Sequence, residues 1–437
     1  MSDLLLLLDG PVASVPPPLV ARQGLVRSEH KVVRDDGGVF HPLGLTFFWG
    51  VYGWKYERDR VLAHLAWLQP KGYDYLRILA EVDWIGRAIE PWAWPDYAEQ
   101  LCGFVDAAYA HGLRSEVTIV GGTQFDQETG DRRFVPKDLA RQVATALIGR
   151  EHKVMHYEMA NEWARLDKVQ PVDLMDMATV VKSLSPNLLS LSCPEPDGYE
   201  QLKEATKAVG GTAYTIHPRR SSHDEGWSHV RQGYDFKDFP ASTWNNEPEG
   251  PQSSVEEMSD PLQLACCRLL GILCGGAGYV LHVGQGVTGE ADPNHGRPEN
   301  MWEVPNIDAI MATVRACDAL LPDGIENWKC VNNGRDDHPL PVPDDYFWEG
   351  THPGPALNKN YAAISGRDFV VILTGVKSAG TTGPVSAGTA RKACHVEAFD
   401  PVTHDRIAVA DLAAGQGWTL PGRGDTMAAW LIRGQVR

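Results

Sequence analysis

Between Leu43 and Val283 the chain repeats one pattern: a short apolar run, a stretch with apolar residues at helical spacing, then another short run. Strands that alternate with helices must run parallel, because each helix carries the chain back to the edge where the next strand begins. The predicted strands are Leu43 to Phe48, Tyr75 to Leu79, Arg114 to Val120, Val154 to Met159, Leu188 to Ser192, Ala213 to His217, Ala241 to Asn245 and Gly278 to Val283. Between them, helices are predicted over Arg58 to Leu68, Trp94 to His111, Pro136 to Gly149, Val172 to Leu184 and Pro261 to Leu273. Eight β/α units at a spacing of roughly 25 to 45 residues suit an α/β fold of the (β/α)₈ TIM-barrel type, which takes about 250 residues.

The flanks have a different texture. Residues 11–30 are rich in Pro and Val without periodicity and read as a linker, preceded by the Leu4 to Leu8 run, which reads as an extended arm or edge strand. Val32-Val33-Arg34 and Val39-Phe40-His41 flank Asp35-Asp36-Gly37-Gly38, a hairpin signal with its turn supplied by Asp and Gly. Past Leu321, apolar runs at Val370 to Leu373, Cys394 to Ala398, Ile407 to Ala410 and Met427 to Ile432 are separated by Gly, Asp and Pro turns, with no amphipathic helix between them. This predicts a small antiparallel β-sandwich, with Ser378 to Gly388 as a loop. The expected organisation is an arm and linker over 1–30, a barrel over 31–325 and a β domain over 326–437.

Composition narrows the function. With 57 acidic against 40 basic residues the formal charge is -17, and there is no Lys/Arg stripe. That argues against nucleic acid and anionic membranes as partners. No apolar stretch approaches the length of a membrane span, so no membrane insertion is expected. The eight cysteines include no C-x-x-C pair and no zinc-like spacing; they read as buried free thiols, with Cys266 and Cys267 as core packing. The Leu4 to Leu8 run lacks a basic leader and is followed by Asp9-Gly10-Pro11, so no signal peptide is evident and a cytoplasmic or virion-associated setting is expected. Of 14 tryptophans, Trp49, Trp54, Trp84, Trp92 and Trp94 cluster in the sequence, as suits either core packing or a cleft for a neutral sugar.

In a (β/α)₈ barrel the chemistry sits at the C-terminal ends of the strands. Arg77 interrupts the second run, Asn161 and Glu162 follow the fourth, His217 closes the sixth, Glu247 follows the seventh and His282 lies in the eighth. Two carboxylates at neighbouring strand ends suit glycosidic cleavage, in which one carboxylic acid protonates the departing oxygen while the other meets the anomeric carbon. Glu158 competes with Glu162 but lies inside its run. Glu249 competes with Glu247 but lies beyond Pro248, which should end the strand.

Residues 31 to about 325 resemble the retaining glycosidases of glycoside hydrolase clan A, the group that includes family five. The resemblance rests on Asn161-Glu162 at the fourth strand and a Glu closing the seventh. It implies that Glu162 is the acid/base, that Asn161 binds a sugar 2-hydroxyl, that Glu247 is the nucleophile kept ionised by Arg77, and that His217 faces substrate. Two positions depart from the clan's pattern: Arg219 stands where several families have an aromatic, and His282 where a sugar-stacking Trp is common. Trp302 would then supply a platform from a loop, and Trp49 is a further candidate for binding substrate.

The resulting expectation is a hydrolase of β-linked oligo- or polysaccharide acting by double displacement, with no metal or organic cofactor and a carbohydrate as its partner. The alternative is a non-catalytic carbohydrate-binding or virion-associated structural protein on the same barrel. The loops Thr123 to Phe134 and Arg219 to Gly233 are long enough to wall a pocket, which favours exo action.

Overall fold

The computed structural model describes residues 23–29, 31–83, 85–122, 131–162, 170–192, 198–217, 236–237, 239–248, 250–253, 257–332, 337–341, 360–376, 385–422 and 428–437. The arm through residue 22, Trp84, Trp163, Arg219, Glu249, the Arg219 to Gly233 loop and most of the 123–134 and 378–388 loops lie outside them.

Three strands come first: β1 (Arg27–Glu29), β2 (Val32–Asp35) and β3 (Gly38–Val39). Strands β2 and β3 form the expected hairpin, with Asp35 paired to Gly38. Strand β1 is a correction to the linker reading. It pairs antiparallel with β2, and a three-residue edge strand specified by its partner leaves no periodicity of its own.

The barrel strands follow: β4 (Leu43–Thr46), β5 (Tyr75–Leu79), β6 (Arg114–Val120), β7 (Val154–Ala160), β8 (Leu189–Ser192), β9 (Ala213–Ile216), β10 (Ser242–Asn245) and β11 (Gly278–Leu281). They hydrogen-bond in parallel in the order β8-β7-β6-β5-β4-β11-β10-β9, and β8 meets β9 through Thr212 N–H to Leu189 O at 3.3 Å, so the sheet nearly closes. Helices Arg58–Leu68, Tyr97–Ala110, Pro136–Ala146, Pro171–Leu184 and Pro261–Leu273 take their predicted places; Tyr199–Ala208 and Ile307–Ala316 add to the outer layer.

The N-terminal end of the barrel is plugged. Tyr75, Met155, Ala213, Trp244 and Val280 form one buried cluster with Val26, Val33 and Phe40 of the N-terminal segment. Two glycines make room for the aromatics: a Cβ at Gly44 would sit 2.4 Å from the Tyr75 ring, and one at Gly278 would sit 2.1 Å from Trp244. Arg114 ties the plug down with an ion pair to Asp35 at 2.9 Å. With this end sealed, the opposite mouth is where the polar strand ends gather.

The C-terminal part is antiparallel, as expected of a β-sandwich. Strands β12 (Lys329–Asn332), β13 (Asn360–Ser365), β14 (Asp368–Val376), β15 (Val385–Thr389), β16 (Cys394–Phe399), β17 (Arg406–Leu412), β18 (Gly417–Leu420) and β19 (Ala428–Val436) form a six-stranded sheet, β12-β13-β14-β19-β16-β17, and a two-stranded one, β15-β18. The central strand of the six-stranded sheet, β14, is buried on both faces from Phe369 to Leu373. Phe369, Val371 and Leu373 join the core under the small sheet, while Val370 and Ile372 join the barrel's core. Alternate residues therefore face two different apolar surroundings, which explains an uninterrupted apolar run in an antiparallel strand.

Candidate active site

Alternation along the strands sends Arg77, Glu116, Thr118, His156, Glu158, Thr215 and Asn246 into the barrel, and all are buried. Arg77 on β5 is the hub. Its guanidinium donates to Glu158 Oε2 at 2.8 Å, to Asn161 Oδ1 at 2.8 Å and to Glu247 Oε1 at 3.2 Å. Its Nε lies 3.3 Å from Glu116 Oε1, and the Phe48 ring lies 5.0 Å from the guanidinium carbon. A planar guanidinium with its donors fanned out can hold several acceptors at fixed angles, which an ammonium cannot.

Glu116, Glu158 and Asn246 form a tier beneath the mouth. Asn246 Nδ2 donates to Glu116 Oε1 at 2.5 Å and to Glu158 Oε1 at 3.2 Å. Thr118 donates its hydroxyl to Glu158 Oε2 at 2.7 Å. Burial alone would raise the Glu158 carboxyl, but the Arg77 charge and hydrogen bonds from Thr215, Thr118 and Arg77 outweigh it and hold the group down to about 2. Burial pushes Glu116 well above the ordinary carboxylate range; Arg77 opposes this and the Glu158 charge adds to it. Of this pair, Glu158 carries the charge and Glu116 the proton.

Above the tier stand the two strand-end carboxylates. Glu162 follows β7, one residue beyond Asn161, whose N–H donates to Val120 O at 2.8 Å. Glu162 itself has φ 37°, a left-handed backbone that a non-glycine residue adopts at a cost. Glu247 follows β10 by two residues and is 6 % exposed. His217, just past β9, stands between them. Its Nδ1 is 3.0 Å from Glu162 Oε1 and 3.3 Å from Glu247 Oε2. The other nitrogen, Nε2, is buried with no hydrogen-bond partner among the described residues.

The donor atoms of Glu162, His217 and Glu247 all lie within 4.8 Å of one another, compact enough to hold a cation as well as to act on a bond placed between them. His282, following β11, has its Nδ1 3.0 Å from the Thr46 hydroxyl and its ring 6.3 Å from Phe48. It is therefore anchored on the β4 side of the barrel.

The two tryptophans expected to bind substrate are placed elsewhere. Trp49 is fully buried, 4.7 Å from the Phe47 ring and 5.4 Å from His64. Trp302 lies over His64 at 4.5 Å and near Trp67 at 6.2 Å, on the helical layer around Arg58–Leu68. An exposed aromatic on a mouth loop is Trp92, after β5, stacked at 5.3 Å and 15° on Phe134, after β6. Arg133, bonded to Asp83 at 2.8 Å, ties the same two loops together.

Glu81, just past β5, accepts Gly122 N–H at 3.0 Å and Gly121 N–H at 3.3 Å, while its Oε1 has no partner among the described residues. Burial pushes its carboxyl up to about 8. Glu116, Asn246 and Glu81 were not singled out from sequence. For Glu81 the available signal was a carboxylate directly following the run that ends at Ala80.

No family model and no curated protein matches the chain. Among solved structures it is similar to a glycoside hydrolase family 5 protein from Bacteroides vulgatus, at 11% identity and a TM-score of 0.64, over 95% of this chain and 93% of that one. A protein described as a glycoside hydrolase matches at 10% identity and 0.62, over 94% and 97%. An alpha-amylase from Geobacillus thermoleovorans, solved with acarbose, matches at 10% identity and 0.53, over 91% and 98%. At these identities the likeness is one of architecture, and it spans barrel and β domain together: the chain has the fold of the glycoside hydrolase family 5 barrels, a (β/α)₈ barrel followed by a C-terminal β-sandwich.

Proposed function

We propose that this chain is a glycoside hydrolase that cleaves a β-linked oligo- or polysaccharide with retention of configuration. The observation that carries the reading is the convergence of Glu162 and Glu247 at the mouth, with His217 between them and donor atoms within 4.8 Å. Carboxyl groups about 5 to 5.5 Å apart suit a covalent glycosyl-enzyme, whereas an inverting enzyme keeps them roughly 6.5 to 9.5 Å apart to admit a water. Glu247 receives the Arg77 hydrogen bond, which favours its ionised form and suits it as nucleophile. Glu162 is the more exposed of the two, at 16% of its side chain against 8%, as befits the group that first protonates the leaving oxygen and then deprotonates the incoming water. Asn161, fixed by Arg77, is placed to bind a sugar hydroxyl, with His217 held beside it between the two carboxylates.

The test is hydrolysis of aryl β-glycosides, β-glucans and mannans by wild type, Glu162→Ala and Glu247→Gln, each with and without a chelator. Glu162→Ala should lose about 10² to 10⁴-fold in rate and recover with azide, yielding a β-glycosyl azide. Glu247→Gln should be inactive and unrescued, and chelation should change nothing. Wild-type binding without cleavage would establish the carbohydrate-binding alternative. Loss of activity on chelation would assign the three donors to a cation.

A further inference from the structure

We propose that Cys274 and Cys330 are a disulfide-forming pair that locks the C-terminal β domain onto the barrel under oxidising conditions. Cys274 caps the C-terminus of helix Pro261–Leu273 in the barrel layer, and Cys330 lies in β12, the first strand of the β domain. The two sit 56 positions apart in sequence, yet their sulfurs lie 3.1 Å from each other as free thiols. About 1 Å of further approach reaches a bond of ~2.05 Å. Both residues pack with the barrel's apolar core, so the approach occurs inside a packed contact.

Exposure sets the order of the chemistry. Cys330 is half-buried and Cys274 is buried, so a reagent reaches Cys330 first. Burial raises the Cys274 thiol, and its Cys330 neighbour adds to this, but the charges of Lys237 and Lys31 oppose it. The Lys31 ammonium is fixed there by the carbonyls of Phe236 and Lys237, at 3.0 and 2.9 Å. The two charges do not offset the burial, which leaves the Cys274 thiol well above the usual thiol range.

The oxidant is a low-molecular-weight disulfide such as oxidised glutathione. The Cys330 thiolate attacks one of its sulfurs and releases one thiolate. Cys274, its proton passed to solvent, then attacks the Cys330 sulfur and expels the second. Two cysteine thiols lose two electrons, the small disulfide gains them, and two small thiols leave. The bond formed spans two domains and closes a long loop through β11 and helix Ile307–Ala316, the kind of link that most constrains the unfolded chain.

The experiment is incubation of the full chain with oxidised glutathione, followed by digestion without reduction, peptide mass analysis and thermal melting. The expected result is a Cys274–Cys330 cross-linked peptide lighter by two hydrogens, together with a rise in melting temperature of at least about 3 °C that a reductant reverses. In Cys330→Ser both should be absent. A stable mixed disulfide of glutathione on Cys330, or recovery of both thiols alkylated after oxidant, overturns the proposal. The peptide readout on wild type decides the matter even if the variant folds poorly.

Discussion

At the scale of single residues, the site is organised by one buried cation facing three carboxylates and an amide. Arg77 meets Glu116, Glu158, Glu247 and Asn161 with no solvent to share the load. Three carboxylates cannot all ionise against one guanidinium in a dry interior, and the pair settles with the proton on Glu116. Glu81 is a separate case, held neutral by burial near the mouth with only two backbone donors. Its folded-state value of about 8 lies above the ordinary 4.5. The folded form thus keeps a proton that the unfolded form has lost; the associated stability is complete below about pH 4.5 and declines as pH rises to about 8. Glu81→Gln should remove that decline. The variant's stability advantage over wild type should grow between about pH 5 and pH 8, by on the order of a few kcal/mol, read by denaturant titration at each pH. An advantage that stays flat across this window would mean Glu81 is ionised in the fold.

Legibility in the sequence varied residue by residue for a physical reason. Asn161, Glu162, His217 and Glu247 follow apolar runs and Arg77 interrupts one, so position along a predicted strand was enough to single them out. Glu116 and Asn246 matter through contacts made across the barrel, between strands far apart in the chain. In the sequence Glu158 reads only as a rival to Glu162, whereas its carboxylate fixes the Arg77 guanidinium from below.

At the scale of elements, the mouth loops decide what the site can hold. Trp49 and Trp302 were expected to bind substrate, but an indole is satisfied equally well by packing, and both pack against the His64 side of helix Arg58–Leu68. Trp92 is different. It is 39% exposed, one face rests on Phe134, and its loop is pinned by the Arg133–Asp83 ion pair. A flat ring held rigid with an open face is suited to stacking on a sugar at little entropic cost. Trp92→Ala should raise KM for an oligosaccharide about 10-fold, corresponding to about 1.4 kcal/mol, with kcat changed far less and short aryl glycosides nearly unaffected. Equal losses on long and short substrates would show that Trp92 makes no distal contact.

At the scale of the whole molecule, barrel and β domain share an interior. Helix Pro261–Leu273 is buried at every position from Leu262 to Leu273, because one side covers the barrel and the other meets β13, β14 and β19. A helix buried all round cannot face water on either side. Arg433 adds hydrogen bonds from β19 to the Leu320 carbonyl. Removing residues 326–437 should therefore leave an insoluble or molten barrel, assayed by soluble yield and near-ultraviolet circular dichroism. A monomeric, cooperatively melting fragment would show that the barrel is an independent unit.

The barrel's eight strands and most of its helices were readable one segment at a time, because strand length, helical periodicity and the placement of Pro and Gly are local properties of the chain. So were the carboxylates at the strand ends. Which residues meet was settled by closure of the sheet: it brings Arg77 to Glu247 across 170 positions, seats His217 between two glutamates and sets Cys274 against Cys330. These contacts depend on strand order and inward register around a closed ring, and no stretch of sequence contains either.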